Sequence, residues 1–337
     1  MAPPLVSVVL PFYRNPLVLE SVESILSQTF HDLELIAIDD CSGNGVADVL
    51  SKITDPRLRL IVRERNGGEN VTRNHGVSLA QGKYIAFQDH DDISYPNRIA
   101  AQVAFLESNP SVAGIGTYCH YGQEKRVHVA PLTTRQMWWD MIFNNHVMFP
   151  TVMVRTEVAR RHPFGDLVAT DDYRWLYEVM QEGDFVNIPE IAFHYRMQET
   201  SLSKEKANIQ LANLDLYRTH FAAASGTKCS AEETRLLRWL GTPRSTSWDL
   251  DSLTAASRLL TRLLVGFQNT HPGDMEYSRS NALARLRYAT TVSADCGIRA
   301  WINWNRFRQS IGASIRLDGV KLLAKCALRV KAGRQKP

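Results

Sequence analysis

The stretch Tyr84-Ile85-Ala86-Phe87-Gln88-Asp89-His90-Asp91-Asp92 joins a short apolar run to three carboxylates within four positions. Its first four residues are apolar and favour β structure, which predicts a buried strand. Three acids at the end of one strand repel each other unless a cation neutralises them. If the backbone stays extended, Asp89 and Asp91 lie on the same side, and this spacing suits one hard divalent cation. An isolated pair of acids is also typical of a solvated turn before a helix, so the neighbouring segments have to decide between the two interpretations.

The segments around this stretch alternate between apolar runs and helical periodicity. Buried strands are predicted over residues 5–10, 33–38, 58–62 and 84–87. Helices are predicted between them, over 17–28, from Asn44 or Asp48, and from the N-cap Asn70 to about residue 81. Continuous apolar strands that alternate with helices are typical of a parallel sheet with helices on both faces. The predicted fold class is therefore α/β, with a doubly wound, mostly parallel sheet.

Polar or turn-forming residues follow three of these four strands. Pro11-Phe12-Tyr13 follows the first strand, Asp39-Asp40 the second, and the acidic stretch the fourth. In doubly wound sheets, ligands lie beyond the carboxyl ends of the strands, near the point where the strand order reverses. These three segments are therefore predicted to share one rim of the sheet, which is the candidate binding site.

Composition limits the classes of protein to which the chain can belong. Its 337 residues suffice for one large domain or two of ordinary size. Hydrophobic residues make up 44% and charged residues 22%, as in globular rather than disordered proteins. The net charge of +4 is too small to indicate a nucleic-acid partner. The five cysteines are scattered without a CxxC pair, which argues against a zinc site or a disulfide framework and favours a reducing compartment.

Six short segments resemble the motifs of the family 2 glycosyltransferases in order and spacing. They are Pro11-Phe12-Tyr13-Arg14, Ser24-Ile25-Leu26-Ser27-Gln28-Thr29, Ile38-Asp39-Asp40-Cys41-Ser42, Asn66-Gly67-Gly68, Thr72-Arg73-Asn74-His75-Gly76 and Phe87-Gln88-Asp89-His90-Asp91-Asp92. The resemblance covers about residues 5–205 and implies a GT-A fold, a nucleotide-diphosphate-sugar donor, a divalent cation and an inverting mechanism. Arg14, Cys41 and His90 depart from the residues common in the family, which bears on sugar selectivity more than on the reaction class.

The resemblance implies a role for the acid that follows the second strand. Asp39 is expected to accept the ring N–H of a uracil or thymine base, with Pro11 and Tyr13 lining the same pocket. The donor would then be a UDP-sugar or a dTDP-sugar. The alternative for Asp39 is an N-cap of the helix that follows it.

The diphosphate and its cation are assigned to three further residues. Arg73 lies in the first turn of its predicted helix, where a guanidinium and the helix N-terminus both favour an anion. Its alternative is a surface arginine paired with Glu69, four residues earlier. By resemblance, Asp91 is the main metal ligand, and Asp89 lies nearer the ribose or assists the metal. A cation held by one or two carboxylates and phosphate oxygens is ordinary for Mg²⁺ or Mn²⁺.

Two acids open a later helix at Thr170-Asp171-Asp172. The resemblance places Asp172 at the position of the catalytic base, and such a base is needed because an inverting transfer must remove a proton from the acceptor hydroxyl. The alternative is a helix start whose acids suit the helix dipole. Further along, Arg196 is expected to contact a phosphate, and Gln198 stands where the family often has a histidine, before a Ser-x-Ser pair at Ser201 and Ser203.

Beyond about residue 205 the strand signals end. Helical runs recur between breaks at Gly226, 241–243, 271–273 and Gly297. The chain is therefore expected to comprise a catalytic domain over residues 1–205 and a helical region over 206–337. Trp138 and Trp139 precede this boundary, and they are expected either in the core or stacked on an acceptor sugar.

The end of the chain is basic and amphipathic. Between Arg299 and Lys336, ten Lys or Arg residues stand against one acid, Asp318. An apolar stripe accompanies them, formed by Trp301, Trp304, Phe307, Ile311 and Ile315. Such helices suit an anionic membrane surface, and the alternative is a helix docked on its own domain. No secretory signal and no apolar run of about 18 residues is present, so we expect a cytoplasmic protein, with peripheral membrane association a further expectation.

These features predict a metal-dependent, inverting glycosyltransferase. Its acceptor would be a hydroxyl of a glycan or of a lipid-linked glycan. A sugar-phosphate nucleotidyltransferase would share the sheet, but it would need a Gly-rich, basic loop after the first strand, and residues 11–16 form no such loop. An inactive relative that binds glycan or scaffolds an assembly complex is the main alternative. Loss of an acid would indicate it, and Asp39, Asp91 and Asp172 are all present.

Overall fold

The computed structural model describes residues 3–165, 170–197, 207–241, 248–314 and 317–328. The chain packs into two compact units, Met1–Thr134 with His146–Leu211 and Arg135–Asn145 with Ala212–Pro337. The segment Arg135–Asn145 thus packs within the second unit, although it precedes residue 205 in the sequence. The functional division into 1–205 and 206–337 stays a prediction.

The first unit is built on one nine-stranded sheet. Its strands are β1 (Val6–Phe12), β2 (Leu33–Asp39), β3 (Leu58–Val62), β4 (Tyr84–Phe87), β5 (Ile93–Ser94), β6 (Val112–Tyr121), β7 (Arg126–His128), β8 (Met153–Arg155) and β9 (Asp184–Tyr195). The spatial order is β3-β2-β1-β4-β8-β6-β9-β5, with β7 paired to β6. The four strands predicted from the sequence are mutually parallel, and so are β6 and β9. Strand β8 is antiparallel to β4 and β6. The predicted α/β class is confirmed, and the second half of the sheet contains both parallel and antiparallel strands.

Helices connect these strands and then make up the second unit. Those up to β9 are α1 (Val18–Leu26), α2 (Val46–Leu50), α3 (Glu69–Leu79), α4 (Arg98–Ser108), α5 (Thr134–Met141), α6 (Thr156–Arg161) and α7 (Asp171–Glu182). Those after it are α8 (Ala207–Ala224), α9 (Ala231–Gly241), α10 (Leu250–Thr270), α11 (Glu276–Val292), α12 (Ile298–Ser310) and α13 (Leu317–Ala327). The predicted helical C-terminal region is confirmed.

Helices cover both faces of the parallel strands. On one face, Val8 and Leu10 of β1 share a buried core cluster with Val22 of α1 and Ile99 of α4. On the other face, α3 approaches β1 so closely that a Cβ added to Gly76 would lie 2.4 Å from Val9 Cγ1. A larger residue would force the helix away, so this glycine sets the position of α3 on the sheet.

Two predicted boundaries were wrong. Pro11 was expected to end the first strand, but β1 continues to Phe12 and pairs Pro11 with Ile38. Strand β4 pairs with β1 only as far as Val9, so the missing N–H of Pro11 costs no ladder bond on that side. Helix α3 begins at Glu69 after Gly68, whose φ of 82° suits glycine, and Asn70 is therefore not its N-cap.

The second unit buries most of the aromatic residues predicted on apolar faces, whereas Trp301 is half-buried. Trp138 and Trp139 are both buried, and the Trp139 ring nitrogen donates to Asn281 at 3.0 Å, so the core interpretation of this pair is confirmed. Trp304 and Phe307 are also buried within this unit, while Ile315 lies outside the described residues. Among the described helices, none is long and apolar enough to cross a membrane.

Candidate functional site

The acidic stretch forms a turn, not an extended strand. Strand β4 ends at Phe87, and the backbone N–H of Asp92 donates to the Asp89 carbonyl at 3.3 Å. The premise that alternation along a strand places Asp89 and Asp91 on one side was therefore wrong. The turn is held by the buried side chain of Gln88, whose amide nitrogen donates to the carbonyls of Asp89 and Asp92 at 3.1 and 3.0 Å. Its amide oxygen accepts from Arg98 at 3.0 Å.

The described arginines offset the charge of this turn only in part. Burial and the neighbouring acids raise the pKa of Asp91 and of Asp92 above the usual range. One oxygen of Asp92 accepts from the Arg196 backbone N–H at 2.8 Å, whereas Oδ2 is buried without a hydrogen bond. A cation would relieve this repulsion, and carboxylate oxygens are the ligands that Mg²⁺ and Mn²⁺ prefer.

The residues present fit a cation that is shared with a ligand. No group of three or more His, Cys, Asp or Glu side chains in the described ranges could hold a metal ion. Asp91 and Asp89 would therefore supply the protein ligands, and phosphate oxygens the others, as is ordinary for Mg²⁺.

Arg73 belongs to α3, and its side chain links the first residue of this helix to the acidic turn. Its side chain is buried and pairs with Asp89 at 2.9 Å and with Glu69 at 2.5 Å. The guanidinium carbon stands 4.6 Å above the ring of Phe149 and 5.6 Å from that of Phe164. Burial alone would lower the pKa of Arg73, but Glu69 and Asp89 raise it above its ordinary value. The pair with Glu69 does form, but Arg73 is not a surface residue.

Asp172 occupies the start of α7 and also interacts with Arg73. Burial raises the pKa of Asp172 to about 6, and the charge of Arg73 opposes this shift. Asp171 is engaged differently, because it accepts from the Gly165 N–H at 2.7 Å and from Arg174 Nε at 2.8 Å. The first acid therefore anchors the helix start, and the second lies beside the arginine that also pairs with the acidic turn.

Asp39 ends β2 and is buried. Its Oδ1 accepts from the Ser42 N–H at 2.9 Å and from the Ser42 hydroxyl. The Ser42 hydroxyl in turn accepts from the Arg14 N–H at 2.8 Å, which ties the end of β1 to that of β2. Tyr13 is 41% exposed, and the Arg14 guanidinium lies 4.9 Å from its ring. Helix α2 is preceded by Gly45, so the alternative of Asp39 as an N-cap was wrong.

Arg196 joins the end of β9 to the acidic turn. Its Nε donates to the Asp91 carbonyl, and its Nη1 pairs with Glu20 at 2.6 Å. The guanidinium is thus directed at the turn, and its contact with a phosphate stays a prediction. Gln198, Ser201 and Ser203 lie outside the described residues.

Comparison with known proteins identifies the family of this chain. The family model described as glycosyl transferase family 2 matches residues 7–160. An uncharacterized glycosyltransferase of Haemophilus influenzae is 31% identical over 218 residues, which are 59% of this chain and 68% of that protein. The chain belongs to glycosyl transferase family 2. It is a glycosyltransferase.

A second curated relative and a solved structure are also similar to this glycosyltransferase. The Bacillus subtilis protein TuaG, a putative teichuronic acid biosynthesis glycosyltransferase, is 27% identical over 66% of this chain and 92% of its own length. The crystal structure of S. aureus TarS residues 1–349 in complex with UDP-GlcNAc superposes with a TM-score of 0.55. At 16% identity, covering 92% of this chain and 93% of that one, it shows the fold alone.

Two organising residues of the glycosyltransferase were missed by sequence reasoning. One is Gln88, described above. The other is Asp40, whose carboxylate accepts from the N–H groups of Gly67 and Gly68 at 3.0 and 2.8 Å and pairs with Arg63 at 2.5 Å. These bonds fix the approach to α3, and thereby Arg73. The glycine pair signalled a turn in the sequence, but nothing in the sequence named the acid that the turn contacts.

Proposed function

We propose that the protein catalyses a metal-dependent, inverting transfer from a UDP-sugar or dTDP-sugar to a hydroxyl of a glycan or a lipid-linked glycan. The observation that carries the proposal is the buried Arg73, which pairs with Asp89 of the acidic turn and interacts with Asp172. Asp89, a proposed ligand of the cation, thus pairs with this guanidinium, and Asp172, the candidate base, interacts with it through its charge. The catalytic part would be residues 1–205.

The nucleobase preference rests on Asp39. The Oδ1 atom of Asp39 accepts two hydrogen bonds from Ser42, while Oδ2 has no hydrogen bond with any described residue. An ionised carboxylate can accept the N3–H of uracil or thymine but offers no donor to the O6 atom of guanine. The binding of UDP-GlcNAc by TarS, which shares the fold, is consistent with a uridine donor.

Several residues of the chain would bind the cation and the diphosphate and hold each other in place. When bound, the cation offsets the charge that develops on the leaving diphosphate. Asp91 and Asp89 hold it, while Arg73 keeps Asp89 in place and supplies a fixed positive charge. The Gln88 side chain keeps the turn closed, so that the acids do not need to reorganise during the reaction.

Asp172 would take the proton from the acceptor hydroxyl as this oxygen attacks the anomeric carbon. A general base is most effective when its pKa lies near the working pH, and burial brings that of Asp172 to about 6. At pH 7 most of the carboxyl is ionised and able to accept a proton. TuaG, which by its name acts in teichuronic acid biosynthesis, supports a glycan as the acceptor.

The stereochemistry of the product tests the single displacement. We expect that α-linked UDP- or dTDP-sugars are turned over to products whose first-formed anomer is β, because attack comes from the face opposite the diphosphate. Proton NMR of the anomeric signal, recorded during turnover or slow hydrolysis of a donor panel, separates the two anomers before they equilibrate. A first-formed α product would show retention and rule out Asp172 as the base of a single displacement.

A further inference from the structure

A pair of stacked tyrosines stands at the edge of the acidic turn. Tyr121 ends β6 and Tyr195 ends β9, and the two residues are partners in the parallel register. Their rings lie 5.5 Å apart with an angle of 8° between the planes. The residue after Tyr195 donates its backbone N–H to Asp92 at 2.8 Å. The Tyr195 ring is therefore fixed on one side by the stack and held next to the three acids.

The hydroxyl of Tyr195 makes no hydrogen bond with a described residue and is open to solvent, although the side chain is half-buried. Such a hydroxyl is available to a ligand. Burial, and then the charges of Asp89, Asp92 and Asp91, raise the pKa of this phenol above its ordinary value. It therefore remains a neutral hydrogen-bond donor.

The neighbours of this hydroxyl favour a phosphate as its acceptor. Tyr195 directly precedes Arg196, whose backbone N–H donates to Asp92 and whose Nε donates to the Asp91 carbonyl, so Tyr195 stands beside the turn. A cation on these acids would share its remaining positions with phosphate oxygens. Those oxygens would then be available acceptors in the same site.

We propose that the Tyr195 hydroxyl donates a hydrogen bond to a diphosphate oxygen of the sugar donor and so helps to hold the leaving group. This inference rests on the proposed function of the same rim. Strand β9 pairs with β5, which follows the acidic turn directly, and the residue after Tyr195 bonds Asp92, whereas Tyr121 lies on β6. Tyr121 supports the ring by stacking, and its own hydroxyl is not needed.

Calorimetric titration of Tyr195→Phe tests the assignment, because it removes the hydroxyl and keeps the stacked ring. With Mn²⁺ present, we expect UDP to bind about tenfold more weakly than to wild type, equivalent to about 1.4 kcal/mol. Binding of uridine, which has no phosphate, should change by less than about twofold. Tyr121→Phe removes the matching hydroxyl one strand away and should leave the affinity for UDP within about twofold. Equal melting temperatures of the variants exclude unfolding as the cause.

Each outcome separates this inference from the proposed function. Unchanged affinity for UDP in Tyr195→Phe overturns the inference and leaves the proposed function intact. Unchanged affinity for UDP with weaker binding of a UDP-sugar would assign the phenol to the sugar and also overturns it. If wild type prefers another nucleoside diphosphate, the base assignment fails, and the same comparison made with that nucleotide decides the role of Tyr195. Loss of all nucleotide binding in wild type would overturn both.

Discussion

Asp172→Asn is expected to lower turnover by about 100-fold or more while the affinity for the donor changes little. Asparagine keeps the shape of the side chain but cannot take a proton from the acceptor hydroxyl. Under the proposed function, donor binding depends on Asp39, Arg73 and the acids of the turn, none of which is replaced. Initial rates of nucleotide release and calorimetric titration with the donor measure the two quantities separately.

Asp171→Asn is the matched control, and the structure predicts an opposite pattern for it. Asp171 is buried and bonded to Gly165 and Arg174, so its amide variant should have a lower melting temperature and retain turnover in the folded fraction. Asp172→Asn should not lower the melting temperature, because burial disfavours the charge that it removes. A folded but inactive Asp171→Asn with an active Asp172→Asn would shift the base to Asp171. Two active variants would place the base elsewhere.

The pH dependence of wild type provides a second test of the base. Burial raises the pKa of Asp172 to about 6, whereas Arg73 opposes the rise and Glu69 and Asp171 add to it. The base must be ionised to act, so turnover should fall as the pH drops through about 6 and level off above it. In the unfolded chain, the pKa of this carboxyl is near its ordinary value. The folded state therefore loses stability as the pH rises from the unfolded-state pKa to the higher folded-state pKa, because folding disfavours the charged form. A rate that stays constant from pH 7 down to 5 would contradict this assignment.

Asp91→Asn is expected to abolish nearly all transfer without unfolding the protein. The amide removes the charge that holds the cation, and excess EDTA should reproduce the loss in wild type. The melting temperature without metal should be unchanged or higher, since burial and the neighbouring Asp89 disfavour the Asp91 charge. Asp48→Asn, at an exposed position of α2, is the control and should retain turnover. Full activity of wild type in EDTA would contradict the assignment of a metal.

The sequence predicted the parallel half of the sheet because its strands are continuous apolar runs. The bounds of β3 and β4 match the prediction residue for residue. The errors came where tertiary contacts decide the local conformation. Pro11 stays in β1 because β4 has already diverged, and residues 88–92 turn because the Gln88 side chain holds them. Neither contact leaves a periodic signal in the sequence.

The candidate site was predicted as single residues, and the structure shows how they are connected. Asp39 ends β2 and the acidic turn follows β4, so both lie at strand ends, as the pattern predicted. The burial of Arg73 against Phe149 and Phe164 was not predictable, because these rings lie about 75 and 90 residues further along the chain. The role of each residue in catalysis stays a prediction until the variants are measured.

Titration of wild type with UDP, dTDP, GDP and ADP, each with Mn²⁺ and with EDTA, tests the central claim most directly. The claim is that Asp39 recognises the base while the acidic turn binds the diphosphate through a cation. We expect UDP or dTDP to bind at least about tenfold more tightly than GDP and ADP, which is about 1.4 kcal/mol, and to lose most of this binding in EDTA. Equal affinities for UDP and GDP, or binding of UDP that EDTA leaves unchanged, would contradict the account.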